Sequence, residues 1–195
     1  MNRLLLALLI LVFSVEPGYS YTVPDTGQTQ SYTTTFGEDS DYTINPPSYT
    51  DLGNGIVRDN VTGLEWVQDG NLMATRDPEF DNDDTAGDGA VTWQHALDYV
   101  VKLNNEYYLG HNDWRLPTVN ELSFLVDSDR YSPSIDTTFF LGTVASWYWS
   151  STPYNYNSDY AWFVSFKNGT VYYYPKSGYY YYVRAVRSGQ AVFNA

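Results

Sequence analysis

The stretch VYYYPKSGYYYYVRAVRSG, Val171 to Gly189, carries seven tyrosines in two runs, Tyr172–Tyr174 and Tyr179–Tyr182, split by Pro175-Lys176-Ser177-Gly178. Nothing else in the chain restricts the fold as tightly. A phenol buried without a partner for its hydroxyl is costly. Along a strand, neighbouring side chains point to opposite faces. Alternation places Tyr180, Tyr182 and then Val186 on one face. Tyr179, Tyr181, Val183 and Ala185 fall on the other. Tyr172 and Tyr174 likewise oppose Val171 and Tyr173. Part of this aromatic material is expected to be core, and the rest surface.

The elements before it set the fold class. Residues 21–50 are polar and turn-rich and read as an extended arm; residues 51–190 read as the domain. GNGIVRDNVTGLEWVQ (53–68) predicts a hairpin turning at Asp59–Gly63. Trp93, Ala96, Leu97, Val100 and Leu103 recur at helical spacing behind Thr92, a helix-capping residue type. Thr118-Val119-Asn120-Glu121 matches a capping box, with Leu122, Leu125 and Val126 as the apolar stripe. After Pro133, ASWYWSST reads as a strand, YAWFVSFKNGTVYYY as a hairpin around Asn168-Gly169, and YYYYVRAVRSG as a last strand. Strands, two helices, then strands make an α+β domain with antiparallel strands.

Residues 1–20 predict a secretory signal. Arg3 precedes an apolar run, Leu4 to Phe13, and Gly18 and Ser20 suit cleavage after Ser20. The run is shorter than the roughly 20 residues a membrane span requires, so no membrane insertion is expected. Cysteine is absent, which excludes disulfides, thiolate metal sites and cysteine nucleophiles. The formal charge of −13 argues against nucleic acid and anionic membranes as partners.

Few residues offer chemistry. His111, Asp113 and Arg115 of HNDWRLPT read as structural: Arg115 can pair a carboxylate and bond loop carbonyls at a helix entrance. His95 is expected on the helix surface. Neither histidine sits in HExxH, and no G-x-S-x-G elbow occurs. The acidic stretch with Asp77, Glu79, Asp81, Asp83, Asp84 and Asp88 lacks a calcium-loop spacing and reads as solvated. No metal, cofactor or catalytic group is expected. Asn60 and Asn168 stand in sequons but read as turn residues.

VPDTGQTQSY, GEDSDYTINPPSYTD, VRDNVTGLEW, NDWRLPTVNEL, YWSST, AWFVSFKNGTV and YVRAVRSG together resemble the Lcl C-terminal domain family, over roughly residues 23–189. The resemblance implies a C-type-lectin-like fold of the formylglycine-generating-enzyme-like subtype. It also implies exported bacterial proteins, some of them adhesins and others similar to the variable proteins of diversity-generating retroelements. Many relatives carry a cysteine near the position of Ser31; this chain has none, so a family disulfide does not carry over. Neither does the activity of formylglycine-generating enzymes, which depends on cysteine.

From Trp147 onward, Tyr, Asn and Ser dominate the polar vocabulary, as they do in antibody paratopes. The expected ligand-binding residues are Tyr148, Tyr154, Asn155, Tyr156, Asn157 and Tyr160, followed by Tyr172, Tyr174, Tyr180 and Tyr182. The function expected is that of a secreted, periplasmic or cell-surface binding module whose partner is an extracellular protein or glycan. A glycan-active enzyme on the same fold and a structural envelope protein are the alternatives.

Overall fold

The computed structural model describes residues 22–189. The expected signal, residues 1–20, lies outside them, as do Tyr21 and residues 190–195. The described chain is a mixed helix-and-sheet structure with two antiparallel sheets and few helices.

The first sheet grows from the expected hairpin. Strands β2 (Ile56–Asp59) and β3 (Leu64–Val67) pair antiparallel, with Arg58 opposite Glu65. Their turn closes on Asp59, whose carboxylate accepts the Val61 N–H at 2.8 Å and the Thr62 hydroxyl at 2.6 Å. Gly63 takes the left-handed φ of 73° that suits a residue without Cβ. Strand β1 (Tyr49–Asp51) adds to β2, so the arm of residues 21–50 ends by joining the sheet. Upstream, the described residues of the arm form no strand and are tied to the body where Thr29 N–H donates to Asp129 at 2.8 Å.

Helix α1 (Leu72–Arg76) was not anticipated; five residues carry too little periodicity to show. Helix α2 (Trp93–Asn105) buries Ala96, Val100 and Leu103 of the predicted stripe, with Trp93 and Leu97 partly buried, and adds Tyr99, which the stripe did not include. Thr92 is its N-cap, but the Thr92 side chain makes no capping bond. Helix α3 (Val119–Ser123) does have the full capping box: Glu121 N–H donates to Thr118 Oγ1, and Thr118 N–H to Glu121 Oε2 at 2.8 Å.

The second sheet, β4 (Trp147–Pro153), β5 (Tyr160–Ser165) and β6 (Val171–Pro175), has the order β4-β5-β6. Asn168 and Gly169 turn β5 into β6, with Gly169 at φ 76°. Strand β6 is the edge. Its terminal Pro175 has no N–H to offer another strand, a common guard against edge pairing.

The last segment departs from expectation. It is not one strand. Tyr181 bridges Val91 antiparallel, Tyr182 bridges Tyr148 parallel, and only Val186–Ser188 forms strand β7, paired with β3. The segment thus passes from one sheet to the other, between two cores. Tyr181, Val183 and Ala185 enter the core built on α2, Trp149 and Phe163. Tyr182 and Val186 face the core built on Trp66, Leu122, Phe140 and Tyr148. The predicted alternation is real, but from Tyr181 to Val186 both faces are interior. Arg184, 1% exposed, lies among them. Its guanidinium donates to the Val67 carbonyl at 2.9 Å and the Gln68 carbonyl at 3.1 Å and sits over the Phe140 ring, so its charge is spread over dipoles and a π face.

Candidate binding surface

Register decides which aromatics of the second sheet reach solvent. Trp149 stands opposite Phe163, Phe163 opposite Tyr172, and Ala161 opposite Tyr174, so these share one face with Trp147. The terminal segment covers the inner part of that face. The Tyr181 ring lies 4.4 Å from Trp149 and 4.9 Å from Phe163. It stops short of the edge. Trp147, Tyr172 and Tyr174 therefore stay 48%, 50% and 36% exposed. Between them opens a groove of about 660 Å³. Phe163 and Tyr181 also line it, and its rim includes Tyr131, Lys167, Asn168, Tyr179 and Tyr180. None of its lining residues is a carboxylate, although the chain has 23 of them. The Tyr174 and Tyr179 rings meet edge to face at 4.3 Å, and the Tyr174 phenol raises the pKa of Tyr179 above the usual range.

The opposite face of β6 carries a second aromatic group. Tyr154 stacks on Tyr173 with centroids 3.7 Å apart and planes 7° apart, and Trp162 meets both edge-on. Tyr160 is half-buried beside Tyr173. Asn155, Tyr156 and Asn157 project from the β4–β5 turn, with Tyr156 88% exposed. The Tyr172 ring lies nearly parallel to that of Tyr173, 4.9 Å away. Three nearly parallel rings thus pass from the turn across the sheet edge toward the groove.

Of the expected site residues, the structure brings Tyr172, Tyr174 and Tyr180 to the groove, with Tyr180 half-buried. It sets Tyr154, Asn155, Tyr156, Asn157 and Tyr160 apart on the turn side. It removes two. Tyr148 is fully buried: its hydroxyl accepts the Val144 N–H at 2.9 Å, and burial pushes its pKa up to about 12. Tyr182 is half-buried against the second core, its ring 5.5 Å from that of Tyr148. The cause is their parallel bridge, which lays the terminal segment beside β4 at Tyr148. Sequence reasoning also missed Trp147, Tyr131, Lys167, Asn168 and Tyr179. Trp147 could have been found from its i, i+2 relation to Trp149. Tyr131 could not: its neighbour Ser132 donates its N–H to the Lys167 carbonyl, a purely tertiary contact.

The polar residues near α3 are structural. Arg115 grips Glu121 through both carboxylate oxygens, at 2.8 and 2.7 Å, and Asp113 accepts Arg187 Nε at 2.8 Å. Arg187 also pairs with buried Glu65. A second groove, about 510 Å³, lies beside this pair against Leu97 and Val101 of α2. The acidic stretch is not uniformly solvated as expected. Asp77 is buried, accepting the Tyr99 hydroxyl and Lys102 Nζ, each at 2.8 Å. Asp81 is buried too; its burial raises its pKa. His95 is half-buried rather than on the helix surface, its ring packed on Phe80 and 3.3 Å from Asp83. Among the described residues, no group of three or more histidine or acidic side chains could hold a metal ion, and no helix is long and apolar enough to cross a membrane.

No curated protein matches the chain. A sequence model of the Lcl C-terminal domain matches residues 55–187, which span β2 to the start of β7, include the whole groove and make up more than half of the chain. The protein belongs to the Lcl C-terminal domain family.

Proposed function

We propose that the chain is a secreted, non-enzymatic binding module, adhesin-like, with a C-type-lectin-like scaffold that offers an aromatic groove to an extracellular protein or glycan. The observation that carries this reading is the groove itself. Exposed aromatic surface of this extent on a soluble domain is a recurrent mark of contact. Here it is free of carboxylates in a chain of charge −13. A neutral or anionic ligand meets no local repulsion there, and Lys167 supplies one exposed cation at the rim. Rigid tyrosines give wide contact area at low entropic cost. Of the acid–base candidates in HNDWRLPT, Asp113 and Arg115 are engaged in ion pairs that join elements of the fold.

The test is retention of labelled protein on cell surfaces. Tyr172→Ser and Tyr174→Ser, confirmed to melt like the parent, should each weaken retention about thirtyfold, the effect of losing a contact of about 2 kcal/mol. Periodate treatment of the cells should abolish retention for a glycan ligand, and protease treatment for a protein ligand. Undiminished retention in both variants would place the contact surface elsewhere.

A further inference from the structure

We propose that Tyr154 and Tyr173 form an oxidative cross-linking site, joined through their ortho carbons as an intramolecular dityrosine by a one-electron oxidant of the peroxidase–peroxide class. The two rings are stacked 3.7 Å apart and within 7° of parallel. The neighbouring Tyr173 hydroxyl raises the pKa of Tyr154. Parallel rings at this separation bring the ortho carbons of each phenol within van der Waals reach of the other ring. Those carbons are where a phenoxyl radical carries much of its unpaired spin.

The surroundings favour this pair over other phenols. Tyr174 and Tyr179 are 4.3 Å apart but meet at 74°, which keeps their ortho carbons from facing each other. Tyr154 and Tyr156 are 5.7 Å apart at 50°. Trp162 touches both members of the stack edge-on and holds them against the sheet. Both rings are half-buried, so each keeps an open edge from which an electron can leave, while coupling with a ring of a second copy of the chain is hindered.

The step balances. Each phenol gives one electron to the oxidant and one proton to water. The two phenoxyl radicals pair their spins in one carbon–carbon bond. Each joined carbon then loses its hydrogen as a proton, and each ring oxygen regains one. The product keeps both hydroxyls and is lighter by two hydrogen atoms; one hydrogen peroxide accepts the two electrons and two protons and becomes two waters. In a chain without cysteine, this bond would be a covalent staple between the β4–β5 turn and the edge strand. Closing that loop should raise the melting temperature and fix the aromatic surface.

The full chain, treated with a heme peroxidase and an equimolar amount of hydrogen peroxide, should remain monomeric, lose the mass of two hydrogens and gain dityrosine fluorescence. Trypsin should then release residues 131–167 and 168–176 as one joined species, and fragmentation should locate the bond at Tyr154 and Tyr173. Tyr154→Phe and Tyr173→Phe keep the ring, and each should lose nearly all of that species. Tyr32→Phe, in the arm and 70% exposed in the parent, should lose none of it. Links scattered over exposed tyrosines such as Tyr131 and Tyr156, links only between molecules, or an undiminished joined species in Tyr173→Phe would each overturn the proposal.

Discussion

The two tyrosine runs, Tyr172–Tyr174 and Tyr179–Tyr182, are nearly identical in sequence, but the first stays at a sheet edge while the second, open at Tyr179, is interior by Tyr181. The first lies on an edge strand. Its backbone is paired on one side only, and Tyr172 and Tyr174 remain half or more than a third open. The second ends between two sheets, where Tyr181 is 5% exposed and Tyr182 packs on the second core. The lesson is that composition did not assign these residues to core or surface. Position in the sheet order did. An edge strand has no neighbour to cover its outer side chains, whereas a segment that bridges two sheets has neighbours on both.

The sharpest way to break this comparison is to make the same substitution in each run. Tyr181→Ser should cost about 3 kcal/mol or more, because the ring fills space between Trp149 and Phe163 that will not collapse. Urea denaturation measures it. A loss below about 1 kcal/mol would mean that the second run is no more structural than the first.

Alkaline pH tests the same contrast without mutation. Burial raises the pKa of Tyr181 and Tyr182 and takes Tyr148 to about 12. In the unfolded chain these phenols ionise near their ordinary value of about 10. The folded state then holds more protons, so their contribution is intact below about pH 10 and is lost as pH rises toward about 12, at up to about 1.4 kcal/mol per pH unit for each phenol. Thermal melting across that range should show the fall, and Tyr148→Phe should make it shallower. A flat profile would contradict the burial.

Arg115→Ala should have a smaller effect. The Arg115 backbone exchanges two hydrogen bonds of 2.9 Å with Val186, just beyond the second run, and its side chain braces α3 through Glu121. That side chain is 39% exposed, so solvent screens the pair and the loss should be about 1 kcal/mol. Differential melting should show it, with surface retention unchanged. Loss of retention at an unchanged melting temperature would assign Arg115 to the site.

Smallest of all, Tyr172→Ser and Tyr174→Ser should each shift stability by no more than about 0.5 kcal/mol, because no cavity opens at an edge. Urea midpoints would check this. Values near that of Tyr181→Ser would erase the distinction between the runs.

Much of the fold was legible beforehand, for local reasons. The Asp59–Gly63 and Asn168–Gly169 turns, the capping box of α3 and the stripe of α2 are all encoded within a few residues of one another. The alternation of the final segment was also legible: Tyr181, Val183 and Ala185 do part from Tyr182 and Val186. The site was less so. Tyr148 and Tyr182 share the vocabulary of the surface tyrosines, and their burial follows from a bridge between residues 34 positions apart. Trp147 reaches the groove from its place on β4 beside β5, and Tyr131 only because its loop meets the β5–β6 hairpin.

The sequence by itself determined that antiparallel strands and short capped helices would form, that no disulfide would hold them, and that the tyrosine runs would divide between two faces. Those outcomes rest on backbone preference, residue inventory and a period of two, all of which are local. Only the tertiary structure decided that both faces of the segment from Tyr181 to Val186 would be interior, and that the first run and Tyr179 would border a groove. Burial depends on which element lies across each face, and that depends on pairings between distant residues such as Tyr148 with Tyr182 and Trp66 with Val186.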